Sequence, residues 1–104
     1  MGDRVEAAAA AEIIRTNVED VLRVKGDSNA TALASAISHA LYDGREVVLR
    51  AIGAGAVNQG IKACAIARGY VAPRGMDLVI LPGFATVNGK DHAVSAITLR
   101  VLRR

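Results

Sequence analysis

The stretch Val47-Val48-Leu49-Arg50-Ala51-Ile52-Gly53-Ala54-Gly55-Ala56-Val57-Asn58-Gln59-Gly60-Ile61-Lys62 constrains this chain more than any other. A near-continuous apolar run passes through two glycines into a second apolar segment. Residues 46 to 52 lack the polar alternation of a half-exposed strand, so they predict an interior strand, buried on both faces or parallel to its neighbour. Glycine at 53 and 55 lets the backbone adopt positive φ and lets another group come close. The helix that follows opens with N–H groups that its own turns leave unpaired. A bend of this kind suits a phosphate.

The size of the chain, 104 residues, fits one domain able to bury somewhat over 60% of its unfolded surface without staples. Hydrophobic residues make up 52% and aromatics 3%, so the core must be Ala, Val, Ile and Leu, and close-packed α/β layers are expected rather than an aromatic platform. The first twenty residues hold two basic and five acidic side chains, and the remainder eleven and five. A basic body of this size suggests an anionic partner. The single cysteine, Cys64, lies in an apolar helical run and reads as a core residue; with no disulfide set available, a reducing compartment is expected. The acidic N-terminus does not read as a secretory signal, its alanine run is too short to span a bilayer, and Glu6 stands where a myristoylation motif needs Ser or Thr. A cytoplasmic protein with no membrane partner is expected.

Taken in order, Asp3-Arg4-Val5-Glu6 forms a capping-box pattern, and the alanines after it predict an N-terminal helix with Val5, Ala9 and Ile13 on one face. Residues 1–17 are thus expected to be a helical extension and residues 18–104 the main domain. Val18 to Val24 predicts a first strand, and Lys25-Gly26-Asp27-Ser28-Asn29 breaks it and caps a helix. That helix carries Ala30, Leu33, Ala34, Ile37, Ala40 and Leu41 at spacings of three and four, and Gly44 ends it. With the strand at 46–52 it makes a βαβ unit. A second helix is expected from about Ala56 to Arg68, stopped by Gly69 and Pro73, with stripes Val57, Ile61, Cys64, Ala65 and Ala63, Ile66, Ala67, Tyr70. So much apolar circumference needs a neighbouring helix, a second subunit, or both. Met76 to Leu81 predicts another strand, Pro82-Gly83 marks an edge or bulge, and Asn88-Gly89 fits a type I′ hairpin turn into a last strand, 93–102. The expected fold is α/β: β-α-β-α-β-β, a four-stranded mixed sheet with two helices on one face, preceded by the N-terminal helix.

Catalytic groupings are absent from this pattern. Gly53-Ala54-Gly55 misses the dinucleotide fingerprint because position 58 is Asn, and Asp77 begins its strand where the ribose-binding acid should end one. No Walker pattern, paired carboxylates or metal spacing occurs, and His39 and His92 fall in different elements. No enzyme activity, metal or cofactor is expected. The residues proposed to hold phosphate are Arg50, Gly53, Gly55, Asn58, Gln59, Lys62 and Arg74. Asn58 and Gln59 alternatively cap the turn or bond a neighbouring subunit.

The runs Ala51-Ile52-Gly53-Ala54-Gly55-Ala56-Val57-Asn58-Gln59, Lys62-Ala63, Ile66-Ala67-Arg68-Gly69 and Val71-Ala72-Pro73 resemble the stage V sporulation protein S family, densely over 50 to 84 and more loosely from about 19 to 104. That family is similar in fold to Alba, the archaeal chromatin protein. The resemblance implies a cytoplasmic homodimer or higher oligomer, such as a tetramer, that binds nucleic acid, DNA in preference to RNA, in sporulation or developmental regulation. Of the basic positions, Arg50, Lys62, Arg68, Arg74 and Arg100 remain. Two other readings stand beside it: a protein-interaction scaffold in a developmental pathway, and a small-anion or nucleotide sensor.

Overall fold

The computed structural model describes residues 12–16, 19–89 and 91–104. In chain order these form β1 (Glu12–Arg15), β2 (Glu19–Val24), α1 (Ala30–Tyr42), β3 (Glu46–Ala51), α2 (Ala54–Val71), a 3-10 turn (Ala72–Arg74), β4 (Leu78–Asn88) and β5 (Ala93–Arg103). The strands make one sheet in the order β1-β2-β3-β5-β4. β2 and β3 run parallel and α1 connects them, while the other neighbours are antiparallel. The expected strand-helix-strand-helix-hairpin order is therefore present.

Side-chain alternation separates the two faces of the sheet. Leu22 and Val24, Val47, Leu49 and Ala51, and Leu99 and Val101 join the helices in one buried cluster. From α1 this cluster takes Leu33, Ala34, Ile37, Ala40 and Leu41, and from α2 Ala56, Ala63, Cys64, Ala67 and Val71. The residues between them, including Val21, Arg23, Val48, Arg50, Thr98 and Arg100, fall on the helix-free face. Gly60 sets how closely α2 approaches: a Cβ there would stand 3.1 Å from Leu99 Cδ1 and 3.5 Å from Leu49 Cδ1.

Local chemistry fixes the helix ends. Asn29 Oδ1 accepts the Ala32 N–H at 3.0 Å, and Gly44 takes the left-handed conformation after α1. α2 runs through Gly69, against expectation; the left-handed residue that turns the chain is Gly75, after the 3-10 turn. A glycine inside a helix costs only about 1 kcal/mol, and Val71, fully buried, secures the extra turn.

Two further expectations need correction. The sheet has five strands rather than four, because Glu12–Arg15 pairs antiparallel with β2 instead of ending a helix. Ile13 packs against the core from this strand, and residues 1–11 of the expected helix lie outside the described residues. The hairpin closes two residues later than Asn88-Gly89 implies: Asn88 pairs with Ala93, and the Gly89 N–H donates to the His92 carbonyl at 2.9 Å. β4 runs unbroken through Pro82-Gly83, and it is an edge strand, as a proline there requires.

A buried ion pair ties the start of β2 to the loop entering β3. Asp20 is 3% exposed, and the Arg45 guanidinium reaches its Oδ1 from Nε at 2.8 Å and from Nη2 at 2.6 Å. Arg45 Nη2 also donates to the carbonyls of Thr16 and Glu19. Removing the cation strands a buried carboxylate, so Arg45→Met should destabilise the fold by about 3 kcal/mol, read as a lower urea midpoint at unchanged slope.

Candidate nucleic-acid interface

Because β2 and β3 are parallel, their carboxyl ends open at the same edge of the sheet, the position where open α/β sheets bind ligands. β2 continues into Lys25-Gly26-Asp27-Ser28 and β3 into Ile52-Gly53. These two loops lean on each other. A Cβ on Gly55 would stand 3.5 Å from Gly26 Cα, and Gln59 Nε2 donates to the Ser28 carbonyl at 2.7 Å. Ser28 in turn accepts the Lys25 N–H on its Oγ at 2.8 Å and donates its own N–H to the Lys25 carbonyl at 3.1 Å. The backbone at Lys25 is thereby fixed.

Gly53 caps α2 at φ 92° and ψ 157°, a region only glycine occupies readily, with no side-chain hydrogen bond to the helix end. Positive φ was expected at Gly55 as well, but Gly55 has entered the helix and φ is not positive there. Gly53, Ala54 and Gly55 are all exposed.

Beside this turn, on the helix-free face, lies a cleft of about 310 Å³ lined by Arg23, Val24, Lys25, Gly26, Arg50, Ile52 and Val87. Arg23 and Arg50 stand directly opposite each other in the parallel ladder. On its other side Arg23 stands opposite Glu12 of β1. The Nε of Arg50 is buried without a hydrogen-bond partner, so packing rather than a counter-ion holds its guanidinium at this end. Val87 belongs to the hairpin arm, which continues four residue pairs beyond the last β3 contact, Ala51 with Ile97, and stands about 13 Å beyond it.

The residues expected to hold phosphate do not form a single constellation. Arg50, Gly53 and Gly55 lie together at the carboxyl edge. Gln59 is occupied in bracing the Ser28 loop. Asn58 and Lys62 are exposed on α2, which packs on the opposite face of the sheet from Arg50. Arg74 lies past the far end of α2, about 27 Å along the helix from Gly53, with its guanidinium 3.7 Å from the centre of the Tyr42 ring. Tyr42 also lines a separate hollow of about 710 Å³, with Thr31, Ser35, His39 and Tyr70 among others. In place of the missing cations stand Arg23 and Lys25. The signal that could have found them is register: once β2 and β3 are taken as parallel, counting back from their ends sets Arg23 beside Arg50.

Arg100 and Arg68 are engaged in ion pairs away from the cleft. Arg100 meets Glu46 at 3.2 Å and Glu19 at 3.8 Å at the opposite end of the helix-free face. Arg68 pairs with Asp77 at 2.7 Å; this hydrogen bond, with the Leu78 N–H, holds the Asp77 carboxyl down to about 2. Burial pushes the Cys64 thiol up to about 11, which leaves it protonated and unreactive at neutral pH. Among the described residues, no cluster of His, Cys, Asp and Glu could hold a metal, and no helix is long and apolar enough to cross a membrane.

A small α/β domain carrying a basic cleft at the carboxyl edge of two parallel strands is the class of protein that this arrangement defines. The family model for stage V sporulation protein S (SpoVS) matches residues 20–104, and the chain belongs to that family. The match begins with β2, so β1 precedes the region that defines the family.

The two glycines of the turn should respond differently to substitution. Gly53→Ala forces a side chain into the positive-φ conformation and should cost about 1–3 kcal/mol, whereas Gly55→Ala adds a Cβ at ordinary contact distance and should cost under about 1 kcal/mol. Thermal denaturation of the two variants measures the difference.

Proposed function

We propose that the chain is a non-enzymatic, cytoplasmic nucleic-acid-binding protein of sporulation or developmental regulation. It grips backbone phosphates with Arg23, Lys25 and Arg50 and with the exposed N–H groups of the Gly53 to Gly55 turn. The observation that carries this reading is the convergence of Lys25 and Arg50, with Arg23, on one cleft beside the exposed Gly53 to Gly55 turn. Membership of a family named for sporulation supports the cellular setting. Phosphate contacts confer affinity without choice of sequence, and DNA is the favoured polymer.

Self-association is part of the same proposal. Ile61 on α2 is 44% exposed, and Phe84 on the edge strand β4, whose side chain is on the same face of the sheet, is 81% exposed. Ile61 and Ala65 line a groove of about 420 Å³ with Leu78, Val79 and Ile80. This apolar strip suits a second copy of the chain. Ile61→Glu lies at the surface and should leave the fold intact while lowering the mass seen in sedimentation equilibrium from dimer or larger toward monomer. An unchanged mass removes this strip as the interface.

A dimer holding three phosphates per subunit should lose affinity for duplex DNA with a slope of log K against log salt of about −5. Arg50→Ala deletes one contact per subunit and should bring the slope to about −3.5. Fluorescence anisotropy over a salt series reads both. A flat wild-type curve, or no binding at low salt, overturns the assignment.

A further inference from the structure

The chain has two tyrosines and no tryptophan, and both tyrosines line the hollow of about 710 Å³ between α1 and the carboxyl end of α2. This hollow shares no lining residue with the cleft at Lys25 and Arg50. One wall is the outer stripe of α1, where Thr31, Ser35, Ser38, His39 and Tyr42 recur at helical spacing. Gly69 and Tyr70 of α2, with Pro73 of the 3-10 turn, form the other.

Its chemistry differs from that of ordinary solvated surface. α1 contains no Asp, Glu, Lys or Arg, although a helix lying on a sheet normally turns charged residues outward. The hollow shares that neutrality, since none of these four residue types lines it among the described residues. Nor is it apolar. Ser38 donates its hydroxyl proton to the Ala34 carbonyl at 2.8 Å, but Thr31, Ser35 and Tyr70 carry hydroxyls with no protein partner among the described residues. The aromatic end is also held in place. Tyr42 donates its hydroxyl to the Tyr70 carbonyl at 3.0 Å, the Arg74 guanidinium stacks 3.7 Å from the centre of its ring, and His39 meets that ring edge-on. Arg74 is not a lining residue, so it braces Tyr42 from outside the hollow.

A partner that matches these walls is uncharged, offers hydrogen-bond acceptors along its length and has ring surface for Tyr70 and Pro73. Nucleic acid fails the first condition. A polyproline II segment meets all three: its carbonyls have no internal donors, each hydroxyl can donate to one of them, and its pyrrolidine rings pack into aromatic-lined grooves. Length agrees as well. From Thr31 to Tyr42 the stripe runs about 16 Å along α1, the reach of roughly five polyproline II residues.

We propose that this hollow is a docking groove for an uncharged, proline-rich segment of a partner protein. The segment lies along α1 as a polyproline II helix, with its rings on Tyr42, Tyr70 and Pro73 and its carbonyls accepting from Thr31, Ser35 and Tyr70. The groove and the phosphate cleft are separate, so both can be filled at once.

Tyrosine emission in this chain arises only at the hollow, which makes it the readout. The full chain is titrated with acetylated decaproline, a Gly-Ser peptide of equal length and maltotriose, none of which absorbs where tyrosine does. Decaproline should give a saturable change and bind at least about tenfold more tightly than the Gly-Ser peptide, which must be ordered on binding; tenfold is the cost of ordering roughly one residue. Tyr70→Ala should weaken decaproline binding about tenfold. Ser35→Lys, which keeps both tyrosines and sets an ammonium in a neutral groove, should do the same at an unchanged urea midpoint and with duplex DNA binding unaltered. The inference falls if decaproline binds no better than the Gly-Ser peptide, or if Ser35→Lys binds it as the wild type does. A saturable response to maltotriose alone overturns it in favour of an oligosaccharide site, and emission that changes with protein concentration alone overturns it in favour of a second copy. Each of these results leaves the salt dependence of DNA binding, and the reading built on it, to stand or fall separately.

Discussion

Parallel pairing of β2 with β3 is the constraint on which the remaining architecture depends. Two parallel neighbours must release their chains at the same edge, and the crossover helix α1 returns the chain to the opposite edge to start β3. Both connecting loops therefore meet beside the start of α2, where Gly26 and Gly55 permit contact and Gln59 joins them. The same ladder sets Arg23 against Arg50, and it sets Glu19 against Glu46 at the other end. At the first of these ends Glu12 of β1 stands opposite Arg23 in turn. Arg100 reaches the acidic end and neutralises it.

The helix face and the helix-free face carry different burdens. Stability comes from the first, where small side chains let helices approach the sheet and one another; Gly60, Ala56, Ala63 and Ala67 lie on the inner side of α2. With aromatics at 3% of the chain, there are few bulky groups to fill gaps between elements held further apart, so tight approach supplies the packing. The Asp20 and Arg45 pair adds a polar tie at the amino end of β2, away from the cleft. The carboxyl edge can therefore carry an unpaired Arg50 Nε and a positive-φ cap without endangering the fold.

Much of this was legible in the residues, and the exceptions have identifiable causes. α1 was readable because its apolar spacing, its Asn29 cap and Gly44 agree with one another. β3 was readable because an apolar run so dense has few other solutions. β1 was not: Ile13 fits the end of an alanine-rich helical stripe as well as it fits a strand, and only pairing with Leu22 decides between them. The end of α2 was misplaced because Gly69 reads as a stop in isolation, whereas burial of Val71 carries the helix past it. The site was half legible. Arg50 and the glycine turn follow from local sequence, but Arg23 and Lys25 come from a strand more than twenty residues away, and no local pattern announces them.

The placement of α2 explains why the expected cation set divided and why that division suits an oligomer. Lys62 and Arg50 lie on opposite sides of the sheet, so a single ligand at the cleft cannot use both. α2 and the edge strand β4 form the side of the molecule that presents Ile61 and Phe84, whereas the cleft opens at the carboxyl edge of β2 and β3. A second copy seated on the α2 and β4 strip would leave both clefts uncovered and related by a two-fold axis. Such an assembly would convert two weak phosphate grips into one bivalent grip, because the second contact would form at the high effective concentration set by a rigid spacing. Ordering the arms and loops beforehand lowers the entropy lost on binding, and here Ser28, Gln59 and the β4 to β5 ladder supply that order.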